Sequence, residues 1–338
     1  MNPLHATARE LVAPGKGILA ADESAGTIAK RFAQIGVEST EPARRAYREL
    51  LFAAPGVDAF LSGVILFDET IRQRAADGTP FPELLAGRGM IPGIKVDRGA
   101  KPLAGAPDET VTEGLDGLRE RFAEYRTLGA RFAKWRATYS VGDGRPSGMA
   151  VRANAHALAR YAALAQEAGL VPIVEPEVLM DGDHSLEDSA RATGRVLQAV
   201  YAELDAQRVD VRATLLKPNM ILSGYDADDR AGVDEVAERT LDCLYRYVPA
   251  AVPGIVFLSG GQTDEDATAH LNAMNARGPH PWQLSFSYGR ALQGPALRAW
   301  RGEAANVPAA QAALLHRARL NGAARAGTYS PELEAVAV

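Results

Sequence analysis

Lysine is the scarce basic residue in this chain. Of 37 lysines and arginines only six are lysine (Lys16, Lys30, Lys95, Lys101, Lys134 and Lys217) and 31 are arginine. An exposed position that needs only a positive charge accepts either residue, but arginine stays protonated in proteins, whereas a desolvated lysine can lose its proton and attack a carbonyl. Three of the six, Lys95, Lys134 and Lys217, fall at or near the ends of apolar strand-like runs, and so do the carboxylates Asp22, Glu175 and Glu177. Charges placed there are costly to bury unless paired. They are expected to form one compact network in which neighbouring cations favour a neutral amine. A set of core-edge ion pairs is the plain alternative. In LLKPNM, Pro218 biases Lys217 toward extended backbone and two leucines give an apolar approach, so Lys217 is the candidate Schiff-base nucleophile.

A second chemistry is anion binding. Ser259-Gly260-Gly261 and Gly289-Arg290 follow two later apolar runs, where glycines let backbone N–H groups approach an anion and arginine adds a bidentate charge. Another anion site is expected near Ser24, Thr27 and Lys95. Metal chemistry is poorly supported, because the six histidines show no HxxH or HxH spacing. Asp181-Gly182-Asp183-His184 reads as a solvated loop before it reads as a cation site. Cys243, in LDCLYRY, reads as a core residue, and Trp135, between Lys134 and Arg136, as packing on the opposite strand face.

Eight short apolar runs would position these groups: Gly17–Asp22, Ala59–Phe67, Ile91–Val96, Ala130–Ala137, Leu170–Glu175, Arg212–Lys217, Gly254–Leu258 and Trp282–Ser287. Amphipathic stretches between them, such as Asn154–Gly169, Asp188–Asp205 and Val233–Val248, give the alternation of a parallel α/β fold. Eight units in 338 residues predict a single (β/α)8 TIM barrel, with 305–338 as a C-terminal helix and tail. A doubly wound sheet is the competing fold, but the first run ends in Asp22-Glu23-Ser24 with no GxGxxG. Arg98–Asp108 reads as a loop, and Pro308–Ala318 as a helix before a tail from Asn321 to Val338.

The totals exclude other classes. A net charge of −5 without a basic block gives no electrostatic footprint for nucleic acid or anionic membrane. One cysteine rules out an intrachain disulfide framework and fits a reducing compartment. No apolar stretch approaches a membrane span and Met1–Leu11 lacks a signal-peptide core, so a cytoplasmic protein is expected.

Seven motifs in order, DESAGTIAKR, GIKVDRG, FAKWR, VEPEVL, LLKPNM, LSGGQ and SFSYGRALQ, resemble class I fructose-1,6-bisphosphate aldolase from about Ala8 to Ser330. The resemblance implies a (β/α)8 barrel, usually a homotetramer, that reversibly cleaves fructose 1,6-bisphosphate without metal or cofactor. By that similarity Lys217 forms the imine, Glu175 is the general acid/base of imine formation, and Asp22 moves the C4 hydroxyl proton. Lys134 is then an electrostatic partner and Glu177 a supporting carboxylate. The C1 phosphate would meet Ser259, Gly260, Gly289 and Arg290, and the C6 phosphate Ser24, Thr27 and Lys95, with Lys30, Arg31 and Arg136 nearby. Members ending in tyrosine use it to exchange the enamine C3 proton, and Tyr329 is the tyrosine of this tail. An aldolase for another ketose phosphate and a non-catalytic barrel scaffold are the alternatives.

Overall fold

In the computed structural model, which describes residues 2–335, eight parallel strands close into a barrel. They are β1 (Gly17–Ala21), β2 (Leu61–Leu66), β3 (Ile91–Lys95), β4 (Phe132–Tyr139), β5 (Val171–Val178), β6 (Leu215–Leu216), β7 (Gly254–Phe257) and β8 (Gln283–Tyr288). Each pairs with its neighbours in the chain and β8 closes on β1, which is the (β/α)8 TIM barrel expected from the alternation of runs.

Inward and outward side chains alternate along each strand. Ile18 and Ala20 on β1, Phe132 on β4, Val171 and Ile173 on β5, Leu215 on β6 and Val256 on β7 make an apolar layer inside the barrel. Ala8, Leu11 and Val12 from the first helix and the residue after it belong to the same cluster. Val12 lies against Gly254 at the start of β7, so this helix plugs the amino-terminal end. Phe132 fills the interior only because Gly93 has no side chain; a Cβ there would stand 2.2 Å from its ring.

Two steps past that layer on the same face come Asp22 after Ala20, Lys134 after Phe132, Glu175 after Ile173 and Lys217 after Leu215. Strand periodicity therefore stacks a charged layer directly above the apolar one. Outward residues pack against the helices. Trp135 is fully buried and stacks on Tyr161 with ring centroids 5.6 Å apart, as alternation required.

Several boundaries differ from the sequence expectation. β4 runs on to Tyr139 and β5 to Val178, so Glu175 and Glu177 lie within a strand and not at its end. β6 is only Leu215–Leu216, because Asp210 caps a tight turn at Val211–Ala213 and Pro218 cannot donate to a ladder. Within the expected loop Arg98–Asp108, Ala100–Pro102 pairs with Thr110–Thr112 as a short antiparallel ribbon. The helix read as Asn154–Gly169 starts at Gly148, since Ser147 caps it. The last helix spans Val307–Arg325, so Asn321 is helical and not tail. Val336–Val338 lie outside the described residues. No helix among the described residues is long and apolar enough to cross a membrane.

Cys243 is buried in the helix Val233–Tyr247, and burial pushes its thiol up to about 12. The thiolate is the reactive form. Native protein at pH 8 is expected to leave Cys243 unlabelled by iodoacetamide over an hour, with full labelling once urea unfolds it. Rapid labelling of the native chain, read by peptide mass spectrometry, would contradict the buried placement.

Candidate active site

The carboxyl ends of the strands surround a cavity of about 880 Å³. All twelve residues expected at the site line it: Asp22, Lys134, Glu175, Glu177, Lys217, Ser24, Thr27, Lys95, Ser259, Gly260, Gly289 and Arg290. Arg31 and Arg136 line it as well, while Lys30, exposed on the helix Ala25–Ala33, does not.

At the centre is a chain of alternating charges. Lys134 Nζ is 2.8 Å from Asp22 Oδ2 and 3.0 Å from Glu175 Oε2, and Glu175 Oε1 is 3.1 Å from Lys217 Nζ. Lys134, Glu175 and Lys217 are at most 4% exposed. Burial pushes the Asp22 carboxyl up, but Lys134, Lys217 and Lys95 outweigh it and hold Asp22 well below the usual carboxylate range. Glu175 is held low in the same way, burial being outweighed by Lys134, Lys217 and Arg136. Burial would lower Lys134, yet Asp22, Glu175 and Asp97 raise it well above the usual lysine range. At neutral pH, Asp22 and Glu175 are thus anionic and Lys134 cationic. Glu175 Oε2 is buried and makes no aligned hydrogen bond despite its closeness to Lys134.

Register places the outer ring. Lys95 pairs across from Lys134, Arg136 from Glu175 and Thr138 from Glu177. Arg136 Nε donates to Glu177, which fixes that carboxylate one layer above Glu175. Lys95 is held at 2.7 Å by Asp97, whose other oxygen accepts from the Arg136 amide at 3.2 Å. Asp97 was not singled out from the sequence; its place in GIKVDRG, two residues past Lys95, was the available signal. Glu23, beside Asp22, also lines the cavity; it receives Arg31 and the buried Arg48.

Two helices begin at the cavity wall. Ser24 caps the helix Ala25–Ala33, its Oγ 3.1 Å from Thr27 Oγ1, so both hydroxyls stand at the positive end of one helix dipole. Gly289 precedes the helix Arg290–Trp300 and supplies no side-chain cap; its carbonyl takes the Leu292 and Gln293 amides, which leaves those of Arg290 and Ala291 as the candidates for an anion. The helix after β7 differs: Asp264, Glu265 and Asp266 already occupy its first turn. The candidate anion surface there is the preceding loop at Ser259-Gly260, not the helix start. Gly261 has φ +79°, and a Cβ on it would stand 2.7 Å from Met180, so the loop's turn depends on glycine.

Asp181, Gly182 and Asp183 are exposed, as expected of a solvated loop, but His184 is buried. The loop is sutured to the one after β6: the amides of Gly224, Tyr225 and Asp226 donate to His184, Met180 and Gly182 carbonyls at 2.8 to 3.0 Å. Tyr225, missed from the sequence because nothing in its run resembles a strand end, reaches the cavity wall by this suture. No group of three or more His, Cys, Asp or Glu among the described residues could hold a metal ion. Tyr329 is 8% exposed, its amide donating to Asn272 and its hydroxyl to Glu334, both at 2.9 Å.

The fructose-bisphosphate aldolase class-I family profile matches residues 3–338. "Probable fructose-bisphosphate aldolase class 1" of Xanthomonas campestris pv. campestris is 57% identical over 324 residues, covering 96% of this chain and 97% of its own. "Fructose-bisphosphate aldolase 4, cytosolic" of Arabidopsis thaliana is 52% identical over 332 residues, 98% of this chain and 84% of its own. Among solved structures, fructose-bisphosphate aldolase from Plasmodium falciparum, in complex with TRAP and a small-molecule inhibitor, superposes with a TM-score of 0.96. It shares 48% identity and covers 97% of this chain and 95% of its own.

Proposed function

The chain belongs to the class I fructose-bisphosphate aldolase family, and we propose that Lys217 is the amine through which it works. The reaction is the reversible cleavage of fructose 1,6-bisphosphate to dihydroxyacetone phosphate and glyceraldehyde 3-phosphate, and class I enzymes need no metal. The observation that carries the residue reading is Lys217, 4% exposed above an apolar layer and 3.1 Å from Glu175, between two rims suited to phosphate.

In this reading Ser259, Gly260, Gly289 and Arg290 hold the C1 phosphate, and Ser24, Thr27 and Lys95 the C6 phosphate. The C2 carbonyl is thereby set over Lys217. Glu175 takes a proton from the Lys217 ammonium, and the freed amine attacks C2; Glu175 passes that proton to the C2 oxygen and then carries a second one from the nitrogen to it, so the oxygen leaves the carbinolamine as water and a protonated imine remains. The protonated imine is an electron sink. Asp22, anionic, takes the C4 hydroxyl proton as the C3–C4 bond breaks. The C4 oxygen forms the aldehyde carbonyl, and the bond's electron pair becomes the C2–C3 double bond of an enamine on Lys217. Protonation at C3 and addition of water to the imine release dihydroxyacetone phosphate and the free amine. Lys134 stays cationic and keeps Asp22 and Glu175 ionised, while Glu177, fixed by Arg136, supports the layer above.

The proposal includes one barrel domain over 1–338, with 305–338 as its C-terminal helix and tail. It also includes a cytoplasmic location, which the cytosolic Arabidopsis relative supports, and a homotetramer, which rests on the resemblance alone. Borohydride reduction of protein incubated with fructose 1,6-bisphosphate and excess EDTA is expected to leave a triose-phosphate adduct on Lys217, mapped by peptide mass spectrometry. An adduct on Lys134 or Lys95 would keep the chemistry and reassign the amine. Cleavage abolished by EDTA with no adduct would sink the imine mechanism.

A further inference from the structure

The loop after β7 contains one buried contact that the reaction as described does not use. Gln262 follows Ser259-Gly260-Gly261 and is 6% exposed. Its backbone carbonyl accepts a hydrogen bond from Arg290 Nη2 at 2.8 Å. Its side-chain Oε1 lies 2.7 Å from Nδ1 of His270, which sits midway along the helix Asp264–Ala276 and is also 6% exposed. Gln262 Nε2 is buried without a partner, so His270 is the group that fixes this amide. Burial pushes the His270 imidazole down to about 4, so near neutral pH the ring is uncharged and carries one N–H. The contact to an acceptor oxygen places that proton on Nδ1.

Arg290 is exposed, and the Gln262 carbonyl is the one protein hydrogen bond its guanidinium makes among the described residues. A long side chain tethered at a single point is placed by whatever holds that point. We propose that His270 is a positioning residue for the C1-phosphate end of the site, holding the Gln262 side chain so that the Gln262 peptide aims Arg290 at the open helix start by Gly289. The inference rests on Arg290 being a phosphate ligand. A phosphate is held alike in substrate and transition state, so loss of the contact weakens binding and leaves turnover in place.

The test is steady-state kinetics with fructose 1,6-bisphosphate and product inhibition by dihydroxyacetone phosphate, on four full-length variants with melting temperatures in parallel. His270→Leu and Gln262→Met are expected to raise KM and the inhibition constant about tenfold with kcat within about twofold. His270→Asn, whose Nδ2 can stand where the imidazole Nδ1 stood, is expected to restore both to within about twofold of the parent. Arg290→Ala separates the two readings. If it leaves KM and the inhibition constant unchanged, the phosphate assignment of Arg290 fails. If it raises them while His270→Leu and Gln262→Met do not, that assignment stands and the positioning role is overturned. Should His270→Leu unfold, Gln262→Met decides; unfolding of both assigns the pair to packing alone and overturns the inference.

Discussion

Lys217→Arg is expected to lower kcat by on the order of 10⁵-fold, the size of effect seen when a covalent nucleophile is removed, while the protein stays folded. Arginine is the informative replacement because it retains the positive charge beside Glu175, 3.1 Å from the lysine amine, and most of the buried stem. It cannot release its proton to become a nucleophile. The charge alternation Asp22, Lys134, Glu175, residue 217 therefore survives, and only the attack on C2 is lost. The melting temperature is expected to hold within a few degrees, dihydroxyacetone phosphate to bind, and borohydride to fix no triose phosphate. More than about a hundredth of the parent kcat, or persistent labelling at another lysine, would show that Lys217 is not the amine.

The residues of that chain were legible because strand periodicity is short. Ala20 and Asp22, Phe132 and Lys134, Ile173 and Glu175, and Leu215 and Lys217 are each two apart, so a charged residue two past an inward apolar one must face the barrel axis. What periodicity does not encode is which charges meet. Lys134 lies between Asp22 and Glu175 because β5 pairs beside its own strand while closure of the barrel brings the end of β1 across to it, a closure that no local run records. Polarity does not mark the strand end here: Glu175 and Glu177 are ladder residues because Arg136 and Thr138 pair opposite them. The groups supplied by loops were the least visible. Asp97, Gln262 and Tyr225 act through turns whose geometry depends on tertiary partners, as Gly224 shows: a Cβ there would stand 2.1 Å from the Gly182 carbonyl.

Lys134→Met is expected to cost about 3–5 kcal/mol of stability at pH 7, the penalty for removing one partner of a buried ion network. The loss follows from geometry: Lys134 is 3% exposed and within 3.0 Å of both Asp22 and Glu175, so methionine leaves Asp22 without its paired cation and Glu175 with Lys217 alone at 3.1 Å, the other cations acting from farther off. Between pH 8 and 5 the pH dependence should change from flat to rising toward acid. In the parent, Asp22 and Glu175 are depressed in the folded state, so their contribution is present above about pH 4, the unfolded carboxylate value, and is lost as pH falls through the folded values. Lys134 is raised, so its contribution is present below about pH 10.4 and is lost as pH climbs through its folded value. Between those limits the parent's network stability is flat. In the variant, burial acts on the two carboxylates with much less opposition, their folded pKa values rise above the unfolded ones, and stability should increase as pH is lowered from 8 to 5. Activity should fall about 10³-fold at pH 7, because a more basic Asp22 is partly protonated and the preorganised charge beside the imine is gone. Urea unfolding of both proteins across pH 5 to 8 reads this directly. A variant with the parent's midpoint and the same flat profile would mean that Lys134 contributes neither to the network's stability nor to the ionisation of the groups on which proton transfer depends.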